Sequence, residues 1–434
     1  MHGGAATPDI PFREALALWW RLGWLSFGGP AGQIALMHRM LVDEKRWIDE
    51  PRFLHALNYC MLLPGPEAMQ LATYVGWLLH GVRGGVVAGM LFILPGALCI
   101  MVLSWLYVLL GDLSLVQGLF FGLKAAVLAI VLQALLRIAA RTLRGVLKPL
   151  LALAAFIALF AFNLPFPLVV LGAGLLGWLA ARWLRGDAGH GDPGPVEPVV
   201  RPGTRRAAAT CLLLWGVTLG LLAGTLGGDH VFTQIGVFFS KMAVVTFGGA
   251  YAVLAYVAQQ GVEHYRWLQP GEMLDGLGLA ETTPGPLILV TQFVGFLGAM
   301  RQSGMEQALL AGTLGALLTT WVTFLPCFVW IFAGAPYVEK LRHHRALAAA
   351  LAAITAAVVG VIANLALWFA LNVMFAERFQ VVGAGLDMHL PVPGSVDFAA
   401  VALSALALLL LFATRLGVLA TLAICALLGV ALQY

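Results

Sequence analysis

The chain has 434 residues, 61% of them hydrophobic and 11% charged, and carries a formal net charge of +4. A mean hydropathy of +0.91 lies outside the range of soluble globular domains and places the chain among integral membrane proteins. Its Arg and Lys residues sit mostly in connections between apolar segments rather than in a basic patch, which argues against a nucleic-acid partner.

The opening "MHGGAATPDIPFR" lacks the basic start, apolar stretch and small-residue cleavage site of a signal peptide, so the first span is expected to stay in the mature chain. At about 20 apolar residues per crossing, spans are predicted near 14–37, 53–81, 84–110, 115–136, 149–162, 165–183, 207–226, 231–259, 273–299, 306–334, 346–373, 396–414 and 417–434. Cys60, Cys99, Cys211, Cys327 and Cys425 stand singly in apolar sequence without CxxC spacing, and read as small core residues.

The spans fall into two copies of one design. "SFGGPAGQIALM" from Ser26 matches "TFGGAYAVLAYV" from Thr246 at a shift of 220 residues, and the same shift places Arg46-Trp47 on Arg266-Trp267 and Pro64-Gly65-Pro66 on Pro284-Gly285-Pro286. With small slips, "TYVGWL" (73–78) matches "QFVGFL" (292–297), and "FILPG" (92–96) matches "TFLPC" (323–327). The expected organisation is a first repeat over 1–184, a Gly/Pro-rich cytoplasmic linker over 185–206, a connecting transmembrane helix over 207–230 and a second repeat over 231–434.

One extra crossing between two six-span copies would invert the second relative to the first. With the linker cytoplasmic, 137–148 lies inside with four Arg or Lys, whereas its counterpart 377–397 lies outside with one. Likewise 111–114 carries no basic residue outside, and 339–345 carries three Arg or Lys inside. The connection 38–52 runs against this trend with four basic residues outside, offset by Asp43, Glu44, Asp49 and Glu50. The predicted fold class is an all-α polytopic membrane protein: about 13 transmembrane helices in two homologous, inverted six-helix repeats with Pro-Gly-Pro broken helices.

Irregular backbone survives at membrane depth only where protein or a water-filled cavity surrounds it. Pro64-Gly65-Pro66 and Pro284-Gly285-Pro286 are expected to divide 53–81 and 273–299 into half-helices near the bilayer middle. The N-terminus of each following half-helix would point free N–H groups at the break, a place for an anion. A kink used only for packing is the plainer alternative.

Glu67 follows the first break and Glu281 precedes the second. A carboxylate at mid-membrane costs about 2.5–3.5 kcal/mol on insertion scales, so each calls for a task, proton carriage, or for a partner, a helix cap at Glu67 and a cation at Glu281. The paired glycines of "FGGP" (Phe27, Gly28, Gly29, Pro30) and "FGGA" (Phe247, Gly248, Gly249) would let a backbone approach closely or a helix unwind. Gln33, Gln70, Thr73, Tyr74, Thr282, Thr283 and Gln292 are candidate donors to an oxyanion, or polar glue between helices. Lys124 and Lys241 are the deepest candidate cations, and Arg46, Arg83 and Arg266 sit near span ends where they can snorkel. Neither GxGxxG nor a Walker pattern occurs, nor any flavin, haem or metal motif, so cofactor and metal are both read as none.

"FGGPAGQIALM", "LPGPEAMQLATYVGW", "GGVVAGMLFILPG", "FGGAYAVLAYV" and "DGLGLAETTPGPLILVTQFVGF" resemble the paired signatures of the chromate ion transporter family in its long, two-domain form. The resemblance covers all but the termini and linker. It implies chromate efflux across the bacterial cytoplasmic (inner) membrane with chromate resistance, no enzymatic activity, and signature residues at Phe27 to Pro30, Pro64 to Glu67, Gln70, Phe247 to Gly249 and Glu281 to Pro286. Ala250 stands where the first copy has Pro30, so the halves need not contribute equally. Alternating access about a midplane site is the expected mechanism. The partners allowed are a chromate or sulfate-like oxyanion, a coupling proton or counter-anion, the lipid bilayer and a homodimer. A carrier of sulfate and a passive anion channel are the competing readings.

Overall fold

The computed structural model describes residues 10–182, 202–247, 249–335, 345–383, 386–414 and 416–433. The first repeat contains α1 (Phe12–Leu25), α2 (Gly29–His38), α3 (Glu50–Cys60), α4 (Glu67–Leu110), α5 (Ser114–Thr142), α6 (Leu147–Phe160) and α7 (Phe166–Leu179). A connecting helix, α8 (Thr204–Leu226), precedes the second repeat of α9 (Val231–Val245), α10 (Ala250–Gln259), α11 (Glu272–Thr282), α12 (Val290–Gln302), α13 (Ala308–Gly334), α14 (Arg345–Met374), α15 (Phe398–Ala413) and α16 (Val418–Gln433). Helix lies within every predicted span. The helices α4, α5, α8, α13 and α14 are long and apolar enough to cross a membrane, and the other apolar helices are shorter. Most of the predicted linker, and residues 339–344 of the connection 339–345, fall outside the described residues.

The breaks fall where the sequence places them. Helix α3, capped by the Asp49 carboxylate accepting from Arg52 N–H at 2.9 Å, stops at Cys60, and α4 starts after Pro66. In the second repeat α11 stops at Thr282, and a short 3₁₀ turn (Leu287–Leu289) leads into α12. The FGG segments unwind their spans completely: α1 ends before Ser26 and α2 begins at Gly29, as α9 ends before Thr246 and α10 begins at Ala250. Helix α4 is itself folded over at His80 and Gly81, whose non-helical dihedrals turn 82–110 back against 67–79. The two strands of this helical hairpin pack through Gly76 and Gly84, where a Cβ would collide with the facing backbone.

Local backbone repeats with the sequence. A π-helical turn follows α2 at Arg39–Glu44 and α10 at Gln260–His264. Arg46 and Arg266, 220 positions apart, hold φ of 53° and 54° and are two of the three described non-glycine residues with positive φ. Each precedes a buried tryptophan, Trp47 or Trp267, which packs the turn onto the core.

Outward surfaces are apolar. Helix α8 buries only Thr204 and Ala208 and presents Leu212, Leu213 and Leu221 outward, as a lipid-facing helix does. Indole–hydroxyl hydrogen bonds fix it: Trp77 to Thr204 at 2.9 Å, Trp215 to Ser240 at 2.9 Å and Trp321 to Thr218 at 3.1 Å. Cys60, Cys327 and Cys425 are buried as expected, whereas Cys99 and Cys211 are half-buried; all are free.

One connection of the otherwise helical fold carries strands that the sequence reading did not expect. The connection 377–397 contains an antiparallel hairpin of β1 (Arg378–Gly383) and β2 (Leu386–Pro391), registered Arg378 on Pro391. Asp387 anchors it, with its N–H donating to Ala161 O at 2.9 Å and its carboxylate accepting from Gln380 at 2.7 Å and Asn163 at 3.2 Å. These bonds hold the Asp387 carboxyl below its ordinary range. Gln259 bonds Asn163 in turn, and the hairpin closes a cavity of about 60 Å³ whose wall includes Glu263, Arg378 and His389.

Candidate functional site

Each Pro-Gly-Pro break is completed by the other repeat. Gly65 N–H donates to Thr246 O at 2.8 Å, and Gly285 N–H donates to Ser26 O at 2.8 Å. These are the same bond related by the 220-residue shift. Ser26 and Thr246 are matched again in their hydroxyls, which donate to Leu22 O and Met242 O, each at 2.6 Å, and satisfy the last turns of α1 and α9. The unwound FGG segment of one repeat thereby offers a carbonyl to the break of the other.

Close approach at the breaks requires glycine. Gly65 and Gly285 have φ of +117° and +92°. A Cβ on Gly65 would sit 2.8 Å from Cys327 Sγ, and one on Gly285 would sit 3.3 Å from Gly96 Cα. Gly96 and Cys327 are equivalent residues following Pro95 and Pro326, so each break packs on the proline-containing helix of the other repeat.

After each break a helix begins without a side-chain cap. The first-turn N–H groups of Glu67, Ala68 and Met69 in α4, and those of Leu287 and Ile288, have no intrahelical acceptor. They are the donors a tetrahedral anion would use.

The polar side chains differ from expectation. Gln33, expected as an anion donor, instead donates through Nε2 to Gly285 O at 2.6 Å and to Ser26 O at 3.3 Å. Gln70 donates to Pro64 O at 2.6 Å. Gln292 donates to Ala97 O at 2.9 Å while accepting from Thr320 at 3.0 Å. Thr73, Thr282 and Thr283 return their hydroxyls to carbonyls of their own helix turn. These amides and hydroxyls brace backbone, because unwound carbonyls in a dry interior demand donors first. Tyr74 is buried with its ring between Tyr59 and Trp77.

Lys124 likewise departs from its expected role as a counter-charge to substrate. Its Nζ lies 3.3 Å from Asp275, a buried α11 carboxylate that also accepts from Tyr107 at 3.0 Å. Asp275 balances the cation, so neither desolvated charge stands alone. Lys241, Arg46, Arg83 and Arg266 are exposed.

Among the described residues Glu67 makes no side-chain hydrogen bond and does not cap α4; it is half-buried, and Arg141 at the end of α5 is the cation whose field reaches it. Glu281 is buried and accepts from the Tyr251 hydroxyl at 2.6 Å, so its partner is a phenol rather than a cation. Phe27, Gly29, Pro30, Pro64, Phe247 and Gly249 are half-buried, Gly28 and Thr282 are exposed, and Gly65, Pro66, Pro284, Gly285 and Pro286 are buried. Gly248 lies outside the described residues.

Sequence reasoning missed Asp275, although an acid in "EMLDGLGLAET" carries the same signal as Glu281 six residues on. Tyr251 stands where the first repeat has Ala31, a symmetry break that hinted at a role. Nothing in the sequence distinguished the carbonyls of Ser26 and Thr246.

An apolar bundle with interrupted helices whose breaks are exchanged between two copies of one design is the architecture of a multi-pass membrane transporter. The model of the chromate transporter family matches residues 13–178 and 233–430, and the chain belongs to that family. It is 32% identical over 399 residues to a chromate transport protein of Pseudomonas aeruginosa, covering 88% of this chain and 86% of that one. It is 30% identical over 363 residues to a chromate transport protein of Cupriavidus metallidurans, covering 82% of each, and 28% identical over 364 residues to a probable chromate transport protein of Synechococcus elongatus, covering 82% of this chain and 84% of that one. No solved structure matches the chain. The family is one of membrane transporters, not of enzymes.

Proposed function

We propose that this protein exports chromate across the bacterial inner membrane by alternating access between two inverted repeats, and so confers chromate resistance. The reading is supported by family membership and by relatives that bear the name of chromate transport proteins. The observation that carries the mechanism is the exchange of Gly65 to Thr246 and Gly285 to Ser26 hydrogen bonds between the repeats. Two repeats joined by reciprocal bonds can rock only by changing those bonds. Rocking that opens one of them frees a break N–H beside a helix N-terminus, where an oxyanion can replace the lost carbonyl.

Inversion is supported by the helix α8 between the repeats and by the Arg and Lys distribution of the connections. In this scheme the substrate sits between the two breaks, with Glu67 and Glu281 as carriers of a coupling proton, or with a counter-anion returning through the same site. The first-turn donors recognise tetrahedral shape and charge, which sulfate shares with chromate; a sulfate-type carrier is the second reading.

The deciding measurement is chromate accumulation in cells with and without the protein, sulfate serving as competitor. Accumulation undiminished by the protein ends the export reading. Flux in vesicles that never runs uphill and does not saturate replaces the carrier with a channel.

A further inference from the structure

The two amides that touch the breaks, Gln33 and Gln70, are 1% and 0% exposed. Their orientation is fixed chemically. The atoms facing Gly285 O and Pro64 O must be the NH₂ groups, because two oxygens cannot share a hydrogen bond that neither supplies. What remains is Oε1 of each, and both oxygens are buried without a hydrogen-bond partner among the described residues. Such an acceptor is costly to leave unmatched in a dry interior.

The second repeat does without an amide at the corresponding positions. At a shift of 220 the second repeat has Val253 and Val290, both 0% exposed. The first repeat therefore supplies one unmatched acceptor to each break, Gln70 beside Pro64 and Gln33 beside Gly285. Each break then presents two kinds of group, backbone N–H donors and one amide acceptor.

A fully deprotonated tetrahedral dianion offers only lone pairs. It suits the donors and is repelled by the acceptor. A singly protonated oxyanion offers lone pairs and one O–H, and suits both. Chromate gains a proton close to neutral pH, whereas sulfate and selenate do so only in strong acid. We infer that Gln33 Oε1 and Gln70 Oε1 are the selectivity-determining acceptors of the site, taking the O–H of hydrogen chromate and rejecting tetrahedral oxyanions that carry no proton. This deepens the proposed function and rests on it. Specificity of this kind is strong, because a site built to pair with a hydroxyl leaves its own buried atom unpaired when the hydroxyl is missing.

Other groups near the breaks titrate too: Glu67 on α4, Cys60 on α3, Cys327 on α13, and Glu281 with Tyr251 on α11 and α10, with Arg137 and Arg141 of α5 in electrostatic reach. Their titration alters transport of every anion. The diagnostic quantity is therefore a ratio. Purified full-length protein in proteoliposomes is assayed for chromate flux with selenate, close to chromate in shape, as competitor, across the pH range in which chromate gains its proton.

Selenate should compete poorly, and chromate preference should rise as pH falls in step with the protonated fraction. Gln33→Val and Gln70→Val, which install the residues of the second repeat, should lower that preference by about tenfold each, the factor of one buried neutral hydrogen bond. Equal competition by selenate in the wild-type protein overturns the inference without any variant, as does a ratio independent of pH. Folded valine variants with unchanged preference also overturn it, leaving the two oxygens to ordered water. Wild-type vesicles that move no chromate at any pH overturn the proposed function itself, a result distinct from the other three.

Discussion

Replacing Gly65 by alanine tests whether the break geometry is as tight as the reciprocal packing implies. Two costs add. A side chain at φ of +117° is strained by about 1–3 kcal/mol, and a Cβ placed 2.8 Å from Cys327 Sγ and 2.9 Å from Gln70 Nε2 overpacks a filled interior by about 1–3 kcal/mol. Roughly 3 kcal/mol of destabilisation is expected. Gly285→Ala should cost less, about 2 kcal/mol, because its nearest neighbours stand at 3.2 and 3.3 Å and need to give by only a few tenths of an ångström. Thermal unfolding in detergent ranks the two variants, and chromate flux in proteoliposomes reports the site. A second substitution isolates the cause. Cys327→Ala in the Gly65→Ala background removes the sulfur and should recover about 1 kcal/mol as a coupling in a double-mutant cycle. Gly65→Ala with wild-type unfolding and flux refutes the packing reasoning; effects of Gly65→Ala and Cys327→Ala that merely add refute the assignment to Cys327.

Glu67→Gln and Glu281→Gln should each weaken transport or shift its pH profile, and wild-type flux from both across pH would remove the carboxylates from the mechanism. Tyr251→Phe, which takes away the 2.6 Å hydrogen bond to Glu281, should displace the same profile as Glu281→Gln while leaving that of Glu67→Gln unaffected. Asp275→Asn or Lys124→Met alone should destabilise by about 3 kcal/mol, each leaving one partner of a largely desolvated pair; the double change to Asp275→Leu with Lys124→Met should recover most of this in a thermal scan. The Asp387 carboxyl is depressed by its bonds from Gln380 and Asn163, so its contribution is present above the ordinary carboxylate pKa and lost as pH falls through the lowered one. Protection factors of the β1 and β2 amides, referred to the intrinsic exchange rate at each pH, should then fall in acid, and Asp387→Asn should abolish that dependence.

Much of the backbone was legible because proline and glycine act locally. Pro64 to Pro66 and Pro284 to Pro286 stop helices by removing donors and permitting left-handed dihedrals, whatever lies around them. The FGG pairs act in the same way. The hairpin at 378–391 was not legible, since "RFQVVGAGLDMHLP" reads as a polar connection until Asp387 finds Ala161 and Asn163 more than 220 residues away. The sequence leaves two roles open for the polar side chains at the site, donors to an anion or glue between helices, because it does not show which carbonyls need donors. Gln33 and Gln70 each point at a carbonyl of a break, and Gln292 points at the Ala97 carbonyl of the other repeat. The partner of Lys124 was not legible because Asp275 lies 151 residues away in the other repeat.

The two repeats agree in backbone and disagree in side chains, and the disagreement has a direction. Backbone features recur at the same shift: Arg46 with Arg266 in dihedral, Ser26 with Thr246 in hydroxyl and carbonyl bonding, Gly65 with Gly285 in both. Other side chains at the breaks do not recur. The first repeat holds the break amides Gln33 and Gln70 where the second has Val253 and Val290, while the second holds Tyr251 with Glu281 where the first has Ala31 and Met61. A reciprocal backbone is what a rocking pair needs, since both end states then carry equivalent bonds and neither is favoured by much. Unequal side chains let the two breaks differ in what they recognise. Exchanging the pairs, with Gln33→Val and Gln70→Val on one side and Val253→Gln and Val290→Gln on the other, separates these roles. A fold held by backbone should survive the swap, and chromate preference should move with the amides; loss of the folded state would show instead that Gln33 and Gln70 hold the breaks together.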